Sequence, residues 1–189
     1  KNIIHQKLQS NTIFLDESYY PKLSNYFYKQ QESAEPFEIY ISPSNAAPEV
    51  LTRKEYSKAS DVYAFAMIVY EIIANKKPFK SKNANRIMNE VVNKKNRPKT
   101  TNLIPECYRK LLKSCWSNNP SKRPTFSEIV YELRHNSKFL ADDIDRSEFY
   151  RYVDLLNPSE KSSDSLDELI KPNVQIERSF EPQVDCCID

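Results

Sequence analysis

The sequence predicts a mainly α-helical domain with a short β-hairpin near its start and an acidic tail at its end. Three observations carry that expectation. Residues 60–79, SDVYAFAMIVYEIIANKKPF, have helical length and are apolar on nearly every face. Two later segments place apolar residues at i, i+3, i+4, i+7, and a third opens with a capping box. After residue 157, Ser, Asp, Glu and Pro dominate, a composition that predicts disorder to Asp189.

Taken in order, TIFLD followed by YYPKLS reads as two short strands around a turn at Asp16–Ser18, because β-branched and aromatic residues flank it. From Pro21 to Val50 no periodicity holds, which predicts a long loop. The apolar helix follows. Ser60 or Asp61 is the candidate N-cap, Lys76 and Lys77 suit the negative end of the dipole, and Pro78 is expected to stop it. A helix apolar all round requires protein on every side, so it is expected to be the hub of the core.

Ala84, Ile87, Met88 and Val91 then share one helical face, as do Tyr108, Leu111, Leu112 and Cys115 in a segment starting near Pro105. Thr125-x-x-Glu128 opens the next helix, which runs through IVYEL. A last helix is expected over 142–156, with Phe149, Tyr152, Val153 and Leu156 on one face and Asn157-Pro158 at its end.

Composition narrows the function classes. The chain has 189 residues, 39% of them hydrophobic, enough for one domain core with an appendage. No apolar run reaches membrane-spanning length, and KNIIHQK lacks the apolar segment of a signal peptide. The sequence begins with Lys rather than Met, consistent with a piece of a longer product. Cys107, Cys115, Cys186 and Cys187 form no CxxC pair, and only His5 and His135 are there to join them, so free thiols in a reducing compartment are expected and a zinc site is not. Glycine is absent, where an average composition is about 7%. Hence no glycine-rich phosphate cradle exists here, and any site that needs positive φ is expected to be served by Asn or Asp, or to be missing.

Charge is split. Residues 1–138 hold 23 Lys and Arg against 13 Asp and Glu, net +10, while 139–189 hold 5 against 13, net −8. A solvated basic face explains the first part better than a nucleic-acid surface, because the densest cluster, KKNRPK at 94–99, has no aromatic residue interleaved for stacking bases.

Three strings then carry a resemblance: APE at Ala47–Glu49, SDVYAF at 60–65, and CWSNNPSKRPTF at 115–126. In this order and spacing they resemble the C-terminal lobe of eukaryotic protein kinases over about residues 1–136. The pattern Trp116, Pro120, Arg123-Pro124 looks most like the tyrosine-kinase-like and tyrosine-kinase groups. The resemblance implies a kinase C-lobe-like fold over 1–136, with an activation segment at 25–49; the residues beyond it read as an appended helix at 137–156 and an acidic tail, expected to be disordered, at 157–189. It also implies that Glu49 pairs with Arg123, that Asp61 braces the backbone near His5, and that Trp116 is structural.

The family's chemistry uses HRDLxxxxN, whose Asp accepts the substrate hydroxyl's proton and whose Asn holds magnesium, and DFG, whose Asp holds magnesium bridging the phosphates. Here the first motif begins HQK, so the proton acceptor becomes Lys7. The metal-binding Asn becomes Thr12, with Asn11 adjacent, and DFG reads Asn25-Tyr26-Phe27. Lysine at its ordinary pKa is protonated at neutral pH, and an uncharged amide is a poor magnesium ligand. Nothing from Lys1 onward supplies a glycine-rich loop or a phosphate-contacting lysine with its glutamate partner.

The resemblance thus implies a pseudokinase: an intracellular, cytoplasmic interaction or regulatory module with no intact catalytic, metal or cofactor residue. A protein partner would dock on the helical face or on the 142–156 helix, unless that helix packs on its own lobe. The alternative is a divergent ATP- and magnesium-dependent Ser/Thr or Tyr kinase with its N-terminal lobe upstream. A nucleic-acid binder ranks third. Tyr28, Tyr40, Ser42 and Ser44 are candidate phosphosites, with ordinary polar loop residues as the plain alternative.

Overall fold

A computed structural model describes residues 3–24, 42–80 and 82–156. It divides into two compact units, Lys1–Arg146 and Ser147–Asp189. Within the first unit the described elements are β1 (Ile13–Leu15), β2 (Pro21–Leu23), α1 (Pro48–Arg53), α2 (Lys58–Ala74), α3 (Ala84–Met88), α4 (Glu106–Cys115) and α5 (Phe126–His135). Helix α6 (Arg146–Leu156) belongs almost wholly to the second. The mainly helical, kinase C-lobe-like class expected from the sequence is what the structure has.

β1 and β2 pair antiparallel with Ile13 opposite Leu23 and Leu15 opposite Pro21. Asp16 closes the turn by accepting from the amides of Ser18 and Tyr20 at 3.0 and 2.9 Å.

Helix α2 is the hub. It starts earlier than expected: the N-cap is Ser57, whose Oγ accepts from the Ser60 amide at 3.1 Å while the Ser60 hydroxyl accepts from the Ser57 amide at 2.9 Å. Ser60 and Asp61 therefore lie inside the first turn, not at the cap. At the other end the helix stops at Ala74, before Pro78, because Asn75 turns left-handed at φ 48°. Asn tolerates that region better than other non-glycine residues, and this chain has no glycine to offer. The expectation that Asn or Asp would serve every such site fails elsewhere: Gln6, Tyr19, Lys54, Phe79 and Lys95 also take positive φ, held there by the surrounding fold.

Both faces of α2 are covered. Val62, Tyr63, Ala66, Met67 and Tyr70 join a core built with Val50, Ile87, Val91, Ile104, Leu112, Cys115, Ile129 and Phe139. Ala64 and Ile68 pack on the opposite side against Leu8. That two-sided burial explains why nearly every position through Tyr70 is apolar. The last turn departs from the expectation, since Ile72 is 72% exposed.

Two further departures concern flanking helices. The long loop expected over 21–50 ends early, because α1 begins at Pro48; proline at the first helical position and Glu49 beside it in the first turn are the local reasons. The stripe at 84–91 is narrower than its spacing implied: Ile87 and Val91 are buried, whereas Ala84 and Met88 face water. Helix α3 has five residues, and a π turn at Asn89–Asn93 follows, marked by the Lys94 amide donating to the Asn89 carbonyl at 3.0 Å. That change of period breaks the continuation of a 3.6-residue face.

Helices α4 and α5 form where expected. Leu111, Leu112 and Cys115 are buried on α4, and both hydrogen bonds of the Thr125–Glu128 capping box are made. Beyond α5, Phe139 is buried and meets Tyr108 edge-on at 4.8 Å, so the core continues past residue 136. Helix α6 begins four residues later than expected, the acids at 142–145 lying in the preceding turn. Residues 157–189, with Cys186, Cys187 and the expected acidic tail, lie outside the described residues.

Candidate functional site

The loop from His5 to Thr12 is held from below by α2. Asp61, buried in the first turn of that helix, accepts from the His5 amide at 2.7 Å and from the Gln6 amide at 3.0 Å, one bond to each carboxylate oxygen. Burial pushes the Asp61 carboxyl above its ordinary range, against the opposing pull of those amides. Gln6 takes a left-handed φ of 65°, which costs a non-glycine residue on the order of 1–3 kcal/mol. The two amide bonds and the burial of Leu8 against Ala64 and Ile68 hold it there.

His5 is buried, and its Nδ1 accepts from the Lys7 amide at 3.3 Å. The ring proton must then sit on Nε2, which is buried and finds no acceptor among the described residues. Lys7 is half-buried, and no carboxylate among the described residues pairs with its ammonium group.

Thr12 is buried at 1% exposure and its hydroxyl is committed to the loop itself. Oγ1 donates to the Gln9 carbonyl at 2.8 Å and accepts from the Gln9 amide at 3.2 Å, closing the single 3-10 turn Ser10–Thr12. Asn11 is exposed on the rim of a concavity of about 500 Å³ that Ser44, Asn45, Glu71 and Lys77 also line. Asn25, expected at the DFG position, lies outside the described residues, as do Tyr28 and Tyr40. Ser42 and Ser44 are half-buried, with their hydroxyls 2.9 Å apart.

A second cluster ties α1 to the helical core. Arg123 donates from Nη1 and Nη2 to the two oxygens of Glu49 at 2.6 and 2.9 Å, from Nη1 to the Ala59 carbonyl at 2.8 Å, and from Nε to the Ser117 carbonyl at 2.9 Å. Its guanidinium lies 5.2 Å from the ring centre of Tyr63. Arg97 stands over the same ring at 5.1 Å and donates from Nε to the Trp116 carbonyl at 2.9 Å. Tyr63 is fully buried, and its hydroxyl, without a hydrogen-bond partner among the described residues, is pushed up to about 12 by burial. Trp116 is buried beside Tyr70, ring centres 6.3 Å apart.

His5, Lys7 and Thr12 thus share one loop with Asp61 beneath it, whereas Glu49, Arg123 and Trp116 form a separate framework under α1. Arg97 is the residue sequence reasoning missed. It sits in the 94–99 cluster read as solvated, but burial lowers its pKa and its donors reach the carbonyls of Trp116, Val91 and Asn96. Nothing in the KKNRPK string itself set it apart from its neighbours. The described cysteines are free: Cys107 donates to the Lys138 carbonyl at 3.0 Å, and burial pushes the Cys115 thiol up to about 11. Among the described residues no group of His, Cys, Asp and Glu could hold a metal ion, and no helix is long and apolar enough to cross a membrane.

The sequence matches the family described as protein tyrosine and serine/threonine kinase over residues 1–133. Similar proteins include dual specificity protein kinase shkD of Dictyostelium discoideum, 28% identical over 87% of this chain and 23% of its own length. The probable serine/threonine-protein kinase drkC of the same organism is 31% identical over 69% of this chain and 18% of its own length. Serine/threonine-protein kinase 12 of Arabidopsis thaliana is 34% identical over 69% of this chain and 30% of its own length. The chain therefore spans less than a third of each of these relatives. With the family match covering most of its length and the helical hub, hairpin and buried framework in place, the chain belongs to the protein tyrosine and serine/threonine kinase family.

Proposed function

We propose that this chain is a pseudokinase lobe of the tyrosine-kinase-like group: an intracellular protein-interaction or regulatory module that performs no phosphotransfer and uses neither ATP nor magnesium. One observation carries the reading. No acidic residue stands between His5 and Leu15, and the carboxylate that reaches the loop from below, Asp61, has both oxygens occupied by the His5 and Gln6 amides. The proton-acceptor position is left to Lys7. A lysine side chain brings a cationic donor to a position where the family's chemistry needs a carboxylate to accept the substrate hydroxyl's proton.

The donor set does not fit a divalent ion either. The Thr12 hydroxyl is turned into its own loop, and magnesium prefers anionic oxygen to the amide that Asn25 would offer. What the site residues retain is architecture, a rigid lobe on which a protein partner can dock.

A second reading, a divergent ATP-dependent kinase, is favoured by the names of the relatives, all three of which are called kinases. Incubating this chain, and any longer polypeptide that carries it, with labelled ATP, magnesium and generic protein substrates separates the two. No transfer above a heat-inactivated control is expected. Transfer that disappears on Lys7→Ala would replace the first reading by the second.

A further inference from the structure

We propose that the basic concavity at the C-terminal end of α2 is a docking surface for an acidic peptide segment of a partner protein. The inference deepens the interaction-module reading and rests on it. After Asn75, a left-handed Phe79 at φ 53° folds the chain back so that Lys76, Lys77, Lys80 and Lys82 stand together. Lys99 joins them from the segment after the π turn, and the group surrounds a concavity of about 460 Å³. All five lysines are exposed.

The lining contains one carboxylate, and it is already engaged. Glu90 accepts from Asn96 at 2.7 Å and Lys94 at 3.0 Å, and lies 3.4 Å from Lys82. Those contacts, the Asn96 hydrogen bond first, pull it down to about 2, so it stays ionised and held. Arg97 is committed to backbone carbonyls and to Asn118, and forms a fixed wall. That leaves Lys76, Lys77, Lys80 and Lys99 in no ion pair among the described residues, with Glu71, which lines a neighbouring concavity alongside Lys77 and Lys80, the carboxylate on that side. Ammonium groups lining one concavity create a positive potential that carboxylates relieve, felt over a screening length of about 8 Å at physiological salt.

The chemistry favours a peptide over a nucleic acid. Tyr70 is 7% exposed and its hydroxyl donates to the Lys99 carbonyl at 3.3 Å, and Phe79 packs on the core, so neither ring is presented for stacking on a base. The free cations are lysines, flexible point charges, rather than the arginine forks that suit phosphate. A concavity of this size admits a few side chains, as an Asp- or Glu-rich segment would supply, rather than the continuous track a polynucleotide backbone needs.

The test titrates the full chain against a fluorescein-labelled peptide of alternating Glu and Ser, read by anisotropy at low and at physiological salt. Lys76→Glu/Lys80→Glu is compared with Lys113→Glu/Lys122→Glu, an equal charge change on α4 and the turn before α5. The first pair is expected to weaken binding by about tenfold or more and the second by less than about threefold, with unchanged circular dichroism in both. Equal losses in the two variants, or no binding by the unaltered chain, would overturn the proposal. So would equally tight binding of a single-stranded oligonucleotide of matching charge, or peptide binding that emerges only after the acids of 157–189 are changed to amides. Phosphotransfer is scored separately: its detection would sink the wider reading without altering the titration, and a failed titration would leave the absence of phosphotransfer standing.

Discussion

Arg123 and Glu49, separated by 74 positions in the sequence, meet in a buried bidentate pair whose contacts are 2.6 and 2.9 Å. The pair fixes α1 to the loop before α5, and Arg123 directs its remaining donors at the Ala59 and Ser117 carbonyls. Truncating one partner strands the other charge in the core. Glu49→Met or Arg123→Met is expected to cost about 3–5 kcal/mol, and the double substitution markedly less than the sum of the two. Urea denaturation of all four proteins measures this, and strict additivity would argue against a coupled pair.

Asp61→Asn keeps the volume and replaces one acceptor oxygen by a donor amide that faces a backbone N–H. A loss of about 1–3 kcal/mol is expected. Hydrogen exchange should locate it: the His5 and Gln6 amides should exchange faster, while those in the middle of α4 keep their relative protection.

Thr12→Val removes the hydroxyl that accepts from the Gln9 amide and should cost about 1–2 kcal/mol, since that amide is left without its partner. Thr12→Ser keeps the bond and should lose less than half as much. If valine proves as stable as threonine in thermal melts, the hydroxyl is not what closes the turn.

Tyr63 gives a pH dependence with a definite sign. Its folded-state pKa is raised to about 12 against 10.0 for an ordinary tyrosine, so between these values the folded protein keeps a proton that the unfolded chain has released. Stability is therefore fully present below about pH 10 and falls as pH rises toward 12, by on the order of 2–3 kcal/mol from this group. Chemical denaturation at stepped alkaline pH should show the fall, and Tyr63→Phe should remove its part between about pH 10 and 12 while costing little, since the hydroxyl has no partner among the described residues to lose, leaving the part that the buried Cys115 thiol contributes from about pH 9 to 11.

Lys54 ends α1 in a left-handed conformation at φ 55° with no glycine to take the position. Lys54→Gly is expected to raise stability by about 0.5–1 kcal/mol, the relief of side-chain crowding exceeding the added freedom of the unfolded chain. A lower melting temperature would show that the lysine makes a compensating contact.

Much of this architecture was legible because it rests on side chains whose chemistry is local and strong. A helical stretch apolar on all sides has to be central, and Asp61, Glu49 and Arg123 stood out through the strings that contain them. Features set by competition between neighbours were not legible. Ser57 outcompeted Ser60 and Asp61 for the cap because Ser60 could return a hydrogen bond to it. The π turn at Asn89–Asn93, which takes Met88 out of the core, leaves no mark in a 3.6-residue count. At the site, Lys7 and Thr12 were singled out only through the resemblance to the family's loop, and the inward turn of the Thr12 hydroxyl had no signal in the sequence. The structural use of Arg97 depends on Tyr63, Val91 and Trp116 being brought to it by three different segments.

Trp116 is the chain's only tryptophan. Its indole lies beside a tyrosine of α2, and its carbonyl is gripped by a residue from the segment after the π turn. One fluorophore therefore sits where three parts of the lobe converge. Its emission, blue while enclosed and red once wetted, makes the molecule its own optical gauge of assembly, with no label to attach.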